Sequence, residues 1–453
     1  HTLVAVALDS SGRIASFSNR CGMARAFCLA APGTQLVSAA GTDGLTVASG
    51  TSMAAPHVTG AINVLASNFP ELTSPEIVEI LKNTARDLGA PGVDNVYGHG
   101  ALDLETAVAP KGRLSVQTGD VLGARMHAAD KSHIIGDGAI TAALRSALTA
   151  RPMMLTDGYD RGYHASMDAF VYNTHGTEDI ARSLEDFVLG RRKAGRLTTD
   201  GLDLAFSTTP DGVSPTLGYA PFARLIAPST SMALTVPGAG LSWTLAGAAA
   251  PDTGDSLMRA DLETEGPTGL RLAVGMMREQ GGVLGAETSG AFGDGLASET
   301  RFFSLGGRLA MGKASVSADA GFGVSSFDGD GLLAGGENLR SRGLRISWSR
   351  PDTLTQGDRV QLSARQATAL RSGRVDLAVP VDLPASDAGA RTAGIMYDSA
   401  SIDLKPQRVP VDVKFAWDRR LGPGRLGVAT AWRPDTDSAR GHALANIGFT
   451  ARF

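Results

Sequence analysis

The sequence predicts an α/β domain built on a parallel sheet, followed by a large antiparallel all-β domain, either a barrel or a sandwich. Two observations carry this expectation. Over roughly the first 110 residues, apolar strand-like runs are followed by helix start and stop signals; beyond roughly residue 200 the hydrophobic period falls to two. Glycine, 56 of 453 residues or about 12%, exceeds the usual share of about 7%, as expected where many strands are joined by tight turns.

In residues 1–110, "TLVAVAL" reads as a buried strand, and "AAPGTQLVSAA" as a second extended piece opened by a Pro-Gly turn. A helix follows from Thr51 to Asn68. A second helix starts in "LTSPEIVEILKNTARDLG", where Thr73 and Glu76 have capping-box spacing, Pro75 suits the first turn and Gly89 sits at a helix stop. Its Ile77, Ile80, Leu81 and Ala85 form one apolar stripe, so it packs on a neighbour. Residues 111–200 read as a connector with one helical stretch, "AITAALRSALTA".

Residues 201–453 alternate. In "ASVSADAGFGVSS", Ala314, Val316, Ala318, Ala320, Phe322 and Val324 share one face, and Ser315, Ser317, Asp319 and Gly321 the other. The same period recurs in "LSWTLAG", "LRLAVGM", "GLRISWS", "VDVKFAWD" and the terminal "HALANIGFTARF", with turn clusters such as "RLGPGR" between them.

Composition excludes some function classes. With 42 basic and 46 acidic side chains the formal charge is -4, which gives no electrostatic case for a nucleic-acid partner. No window has the roughly 18 uninterrupted apolar residues of a spanning helix, so a membrane role requires strands or further polypeptide. The chain enters on His1 without a secretory-type leader and reads as cut at its start. Cys21 and Cys28 permit a small disulfide loop in an oxidising compartment, or two half-buried thiols in a reducing one.

The chemistry-bearing stretch is "GTSMAAPHVTG", residues 50–60. A serine hydroxyl becomes a competent nucleophile only when a base takes its proton and donors meet the developing oxyanion. Ser52 falls in the first turn of a helix, where free backbone N–H groups and the positive end of the dipole favour that charge. Gly50 permits a sharp entry turn, and Ala54 and Ala55 leave room for a substrate chain. His57, five positions on, is rotated off the face of Ser52.

"GTSMAAPHVTG" resembles the nucleophile motif of the subtilisin-like serine proteases (subtilases, peptidase S8). "GRIASFSNRCG", "CLAAPGTQLVSAA", "TSPEIVEILKNTARDLG" and "YGHGALDLETAVA" are similar, in order, to the C-terminal part of that family's catalytic domain. The resemblance implies an incomplete subtilisin-like domain over residues 1–110. It makes Ser52 the nucleophile, with its own N–H as one oxyanion arm. Gly50, Thr51, Met53 and Pro56 become supports of the motif, and His57 a structural residue rather than the base. The family order is aspartate, histidine, serine, yet among the 51 residues before Ser52 the only histidine is His1. The expected triad partners therefore lie outside this sequence, and the chain alone is expected to be inactive. "DSSG" at Asp9 resembles the family's strand-to-turn segment. "HGT" at His175 echoes the histidine motif, but falls in the connector and reads as a loop. No cofactor is implied, and no His, Cys or acidic spacing matches a metal site.

The terminal strand, ending on Phe453, resembles the closing strand of bacterial outer-membrane barrels, and a protease followed by such a domain resembles an autotransporter. The tail is also similar to those of alphaproteobacterial subtilases. The expected function is a serine endopeptidase acting on polypeptide, secreted or at the bacterial outer membrane. The alternatives are a membrane translocator or anchor with a protease passenger, or a non-catalytic subtilase relative. Aromatic content of only 6% weighs against a barrel, whose interfaces carry aromatic girdles.

Overall fold

A computed structural model of the chain describes residues 2–40, 44–136, 139–173, 193–199, 201–208, 222, 225, 230–250, 252–293, 295–383, 394–406, 409, 411–422, 424–434 and 441–451. The chain packs as two compact units. The first comprises residues 1–126, 154–164 and 380–397; the second comprises 127–153, 165–379 and 398–453. The sequence divisions at 110 and 200 thus fall inside the first and second units, respectively.

In the first unit, β1 (Val4–Leu8) and β2 (Cys28–Pro32) pair in parallel, Val4 opposite Cys28. In "AAPGTQLVSAA" the expected Pro-Gly turn separates two strands. β2 ends at Pro32, Gln35 takes a left-handed φ of 52°, and β3 (Leu36–Ala40) turns away to form an antiparallel hairpin with β4 (Gly44–Ala48). The turn requires glycine at 33: a Cβ there would lie 2.4 Å from the Cβ of Ala7, far inside contact distance. Helix α1 (Thr51–Asn68) lays Ala54, Val58, Ala61 and Leu65 against Ala7, Leu29 and Ala31 of the two strands. These positions follow the i, i+3/i+4 spacing of one helix face.

Helix α2 (Ser74–Thr84) starts with the capping box, the Thr73 N–H donating to Glu76 Oε2 at 2.8 Å, and buries Ile77, Ile80 and Leu81. It stops five residues before Gly89. Arg86 instead exchanges two backbone hydrogen bonds of 2.8 Å with Ala101, so a bridge to the closing loop wins over helix propagation. Gly89 has φ +85° in that loop, where a Cβ would meet Asp94 Oδ2 at 2.5 Å. Helix α3 (Leu104–Val108) is capped by Asp103, which accepts from the Thr106 N–H at 3.0 Å.

Arg161, wholly buried, closes this unit. It holds Asp157 through Nη2–Oδ2 at 2.7 Å, donates to the carbonyls of Ala107 and Ala109, and lies 4.8 Å from the centroid of the Phe69 ring. Tyr159 and Tyr163 flank it at 5.3 and 5.6 Å. A buried guanidinium is tolerable only with such complete pairing.

In the second unit, helix α4 (Ala139–Leu148) occupies the expected "AITAALRSAL". A 14-stranded antiparallel sheet dominates. Its strands are β5 (Lys193–Thr199), β6 (Leu202–Thr208), β7 (Thr230–Pro237), β8 (Leu241–Ala250), β9 (Asp255–Thr264), β10 (Thr268–Gln280), β11 (Ala297–Met311), β12 (Ala314–Asp328), β13 (Leu333–Pro351), β14 (Asp358–Asp382), β15 (Met396–Leu404), β16 (Val411–Leu421), β17 (Gly424–Pro434) and β18 (Gly441–Ala451). Within this sheet successive strands pair, except that β14 pairs with both β15 and β16; the short strands Gly282–Val283 and Ala286–Ser289, between β10 and β11, belong to a separate sheet. Hairpin connections explain most of this order, since antiparallel strands need only short turns.

The alternation of this sheet has an unusual sign. Along β12 the buried positions include Asp319, Gly321, Gly323 and Ser325, while Phe322 and Val324 face out. Across the sheet, Ser207, Ser231, Thr300, Asp319, Asp412 and Arg433 are buried, whereas Leu245, Leu272, Val274, Leu305, Ile346 and Ile447 are 50% exposed or more. Several of the buried polar groups satisfy one another: Ser207 with Ser231 at 2.9 Å, Thr300 with Ser325 at 2.7 Å, and Arg433 bidentate on Asp412 at 2.6 and 2.8 Å.

Candidate active site

The start of α1 is fixed by backbone hydrogen bonds. Gly33 N–H donates to the Leu8 carbonyl at 3.0 Å, and Gly50 N–H donates to the Gly33 carbonyl at 2.7 Å. These two bonds place the helix N-terminus beside the carboxyl ends of β1 and β2. The carboxyl edge of parallel strands is where α/β sheets present their ligand sites.

Gly50 is extended, with φ 164°, a conformation any residue adopts, and a Cβ there would meet only ordinary contacts of 3.5 Å or more. The steric demand for glycine falls on Gly33, whose Cβ would also lie 2.9 Å from the Gly50 carbonyl. The requirement for glycine expected at Gly50 thus falls one contact away, on the glycine of the Pro-Gly turn.

Ser52 is exposed in the first turn of α1. Among the described residues, no side chain forms a hydrogen bond to its hydroxyl. Its peptide N–H belongs to the first turn, where intrahelical acceptors are lacking. Pro56 has no N–H to donate to the Ser52 carbonyl four residues earlier, which also leaves that carbonyl outside the helical ladder. Thr51 and Met53 flank Ser52 and are half-buried, and Met53 N–H returns to the Gly50 carbonyl at 3.0 Å.

His57 is exposed, and its Nδ1 lies 3.0 Å from the Met53 carbonyl on its own helix. Because a carbonyl only accepts, Nδ1 carries the proton. The imidazole is therefore committed to α1 and does not hydrogen-bond Ser52. Asp9 caps its own turn, accepting from Ser11 and Arg13; the Ser11 hydroxyl and the Arg13 N–H hold its carboxyl below the ordinary range. Other histidines are similarly engaged: His99 Nε2 reaches the Ala26 carbonyl, and His164 Nε2 the Val381 carbonyl, each at 3.0 Å. His175 and Phe453 lie outside the described residues. Cys21 and Cys28 are joined in a disulfide with Cα atoms 5.8 Å apart. Among the described residues, no cluster of His, Cys, Asp or Glu is arranged for a metal.

Sequence reasoning missed Asp94, Glu71 and Arg161. Asp94 accepts from the N–H groups of Ala90, Val96 and Tyr97; burial opposes its ionisation, yet these donors together hold its carboxyl below the usual range. Only its position just before "YGHG" hints at this loop-organising role.

Comparison with known proteins agrees with the motif. Residues 1–100 match the subtilase (peptidase S8) family model. Over 111 residues the chain is 45% identical to serotype-specific antigen 1 of Mannheimia haemolytica, a match covering 23% of this chain and 12% of that protein. It is 33% identical over 128 residues to an extracellular serine protease of Serratia marcescens, covering 23% and 12%. It is 38% identical over 91 residues to the neisserial autotransporter lipoprotein NalP of Neisseria meningitidis, covering 20% and 8%. The matched stretch is thus no more than 12% of the length of any of these three relatives. Residues 1–100 of this chain are a subtilase-family segment, and a large antiparallel β-sheet region follows them.

Proposed function

We propose that this chain supplies the nucleophile of a serine endopeptidase and carries it on an outer-membrane β-barrel. The observation that supports the enzymatic part most directly is the exposed Ser52 hydroxyl, free of side-chain partners among the described residues, at a helix start beside the carboxyl ends of parallel strands. In the proposed reaction, Ser52 Oγ attacks a peptide carbonyl, and its proton passes to a histidine contributed by polypeptide outside these 453 residues. The carbonyl oxygen gathers negative charge against the Ser52 N–H and the helix dipole. The amine leaves with a proton, and water then releases the acyl group. Without the base, the 453-residue chain hydrolyses peptides slower than a complete enzyme by about 10⁴ to 10⁶. Fluorophosphonate labelling tests this. The chain alone should label poorly, and a longer protein containing the upstream partners should label at Ser52 and lose the label in Ser52→Ala. A longer protein that never labels at Ser52 makes the segment a non-catalytic subtilase relative.

The anchoring part has separate support in the polarity of the sheet. Apolar side chains face outward on nearly every strand, far beyond the few hundred Å² of apolar patch a water-soluble monomer presents. The other face mixes small apolar residues such as Ala246, Ala273 and Ala429 with hydrogen-bonded polar side chains such as Thr300, Ser325 and Asp412. A soluble sandwich buries its apolar face; a barrel in lipid does the reverse. On β13 the outward residues Leu344, Ile346 and Trp348 are bounded by Arg342 and Arg350. Eight residues at about 3.4 Å each, tilted by about 40°, span roughly 20 Å, close to the apolar band of an outer-membrane barrel. The proposed location is the bacterial outer membrane, with the protease segment as passenger. Heat-modifiable gel mobility and insertion into lipid vesicles test it; a freely soluble monomer overturns it.

A further inference from the structure

One edge of the outward apolar face carries a group of arginines that neither the proposed proteolysis nor simple anchoring uses. Cross-strand pairing aligns Arg301 with Val324 and Val324 with Arg340; the next row aligns Phe303 with Phe322 and Phe322 with Arg342. Arg371 lies on β14, between Leu370 and Ser372, which pair with Ser341 and Arg340. The following row is apolar: Leu272, Leu305, Ala320 and Leu344 in succession. The arginines therefore sit where the apolar face gives way to a polar one.

They surround a cavity of about 610 Å³, whose floor includes Phe303 and Phe322 stacked at 5.0 Å. Arg301 is paired with Glu299 at 2.8 Å. Arg340, Arg342 and Arg371 have no acidic partner among the described residues. The Nε atoms of Arg342 and Arg371 are shielded from solvent and make no hydrogen bond there. A buried guanidinium N–H without an acceptor is costly, and a shared anion would relieve both at once. The cluster carries three positive charges beyond the Arg301–Glu299 pair.

We propose that this cavity binds the phosphate headgroup of an anionic membrane lipid, with the arginine forks on the phosphate and the acyl chains along Phe303, Phe322 and the apolar row beyond. Guanidinium forks match phosphate oxygens bidentately, and the adjacent apolar surface selects an amphiphile over a free anion. This inference rests on the membrane reading of the sheet.

The test uses the full 453-residue chain in non-ionic detergent, titrated with dihexanoyl phosphatidic acid, dihexanoyl phosphatidylcholine and inorganic phosphate and read by calorimetry. The phosphatidic acid should bind most tightly. Arg342→Ala with Arg371→Ala should weaken it by at least about tenfold, while Arg350→Ala at the opposite border leaves it unchanged. Arg340→Ala, at an exposed position, should give a smaller loss and serves if the double variant does not assemble. Equal binding of all three probes, inorganic phosphate binding as tightly as the lipid, or unchanged binding in both the double variant and Arg340→Ala overturns the site. Vesicle insertion is measured in parallel. A chain that inserts but fails these titrations loses only the headgroup site; one that does not insert loses the membrane reading and the site together.

Discussion

Helix α1 and strand β12 both show textured amphipathicity, with opposite outcomes. On α1 the buried face is Ala54, Val58, Ala61 and Leu65, and the exposed residues include Ser52, His57 and Asn63. On β12 the buried positions include Asp319, Gly321, Gly323 and Ser325, with Phe327 near its end, and the exposed ones include Phe322 and Val324. Periodicity reports only that two faces differ. Which face is covered depends on what the surroundings are, and the hydrophobic effect gives that answer opposite signs in water and in lipid.

The largest expected effect breaks the comparison from the side of the first unit, where the buried charges of Asp157 and Arg161 form one completed network. Arg161→Met leaves Asp157 and two carbonyls without their cationic donor. It should cost about 3–5 kcal/mol, the range for breaking a buried ion pair. Hydrogen exchange of peptides from α1 to α3 should read this as lost protection, with the sheet unaffected. Unchanged protection would mean that Arg161 does not close the unit.

On the sheet, the sharpest substitution is Leu305→Arg, at the middle of an outward apolar row. In lipid it should cost about 2–4 kcal/mol, as an arginine near the midplane of a barrel does. In a water-facing sheet the same change is neutral or improves solubility. Urea titration of vesicle-refolded chain separates the two, and a neutral result sinks the inverted polarity. A smaller effect probes the other face. Thr300→Val removes the partner of the buried Ser325 hydroxyl and should cost about 1–3 kcal/mol, where a hydrophobic core would have gained from the added methyl.

Much of this was legible in the sequence. The capping box at Thr73 and Glu76, the span of α1 and the period of two past residue 200 are local signals, and local signals survive folding. What could not be read depended on distant partners. Helix α2 ends at Thr84 because Arg86 pairs with Ala101, and no property of "ARDLG" contains that bridge. The glycine at position 33 matters because Ala7 and Gly50 converge on it. Arg161 belonged, in sequence, to a charge-scattered connector, and its burial follows from Phe69 and Ala107 lying many residues away. At the candidate site, the motif points to Ser52, which the structure leaves exposed, and helix geometry alone separates His57 from it.

The smallest expected effect concerns pH and again contrasts the two regions, since it arises where a carboxylate meets a water-type core. Glu71 receives the Gly162 N–H at 3.0 Å. Burial raises its pKa above the ordinary carboxylate value; the Gly162 donor and Arg161 oppose the shift, and Asp382 adds to it. A carboxyl whose folded pKa is raised holds its proton more tightly when folded. Its contribution is fully present below the unfolded pKa and is lost as pH climbs through the raised folded value. Stability of the first unit should therefore decline from this source as pH rises out of the acidic carboxylate range towards neutrality. Glu71→Gln keeps an acceptor for Gly162 but cannot ionise, so it should flatten that part of the profile. Hydrogen exchange of α2 peptides between pH 4 and 7, after correction for intrinsic exchange, is the measurement. An identical pH dependence in both proteins would assign the slope to another group.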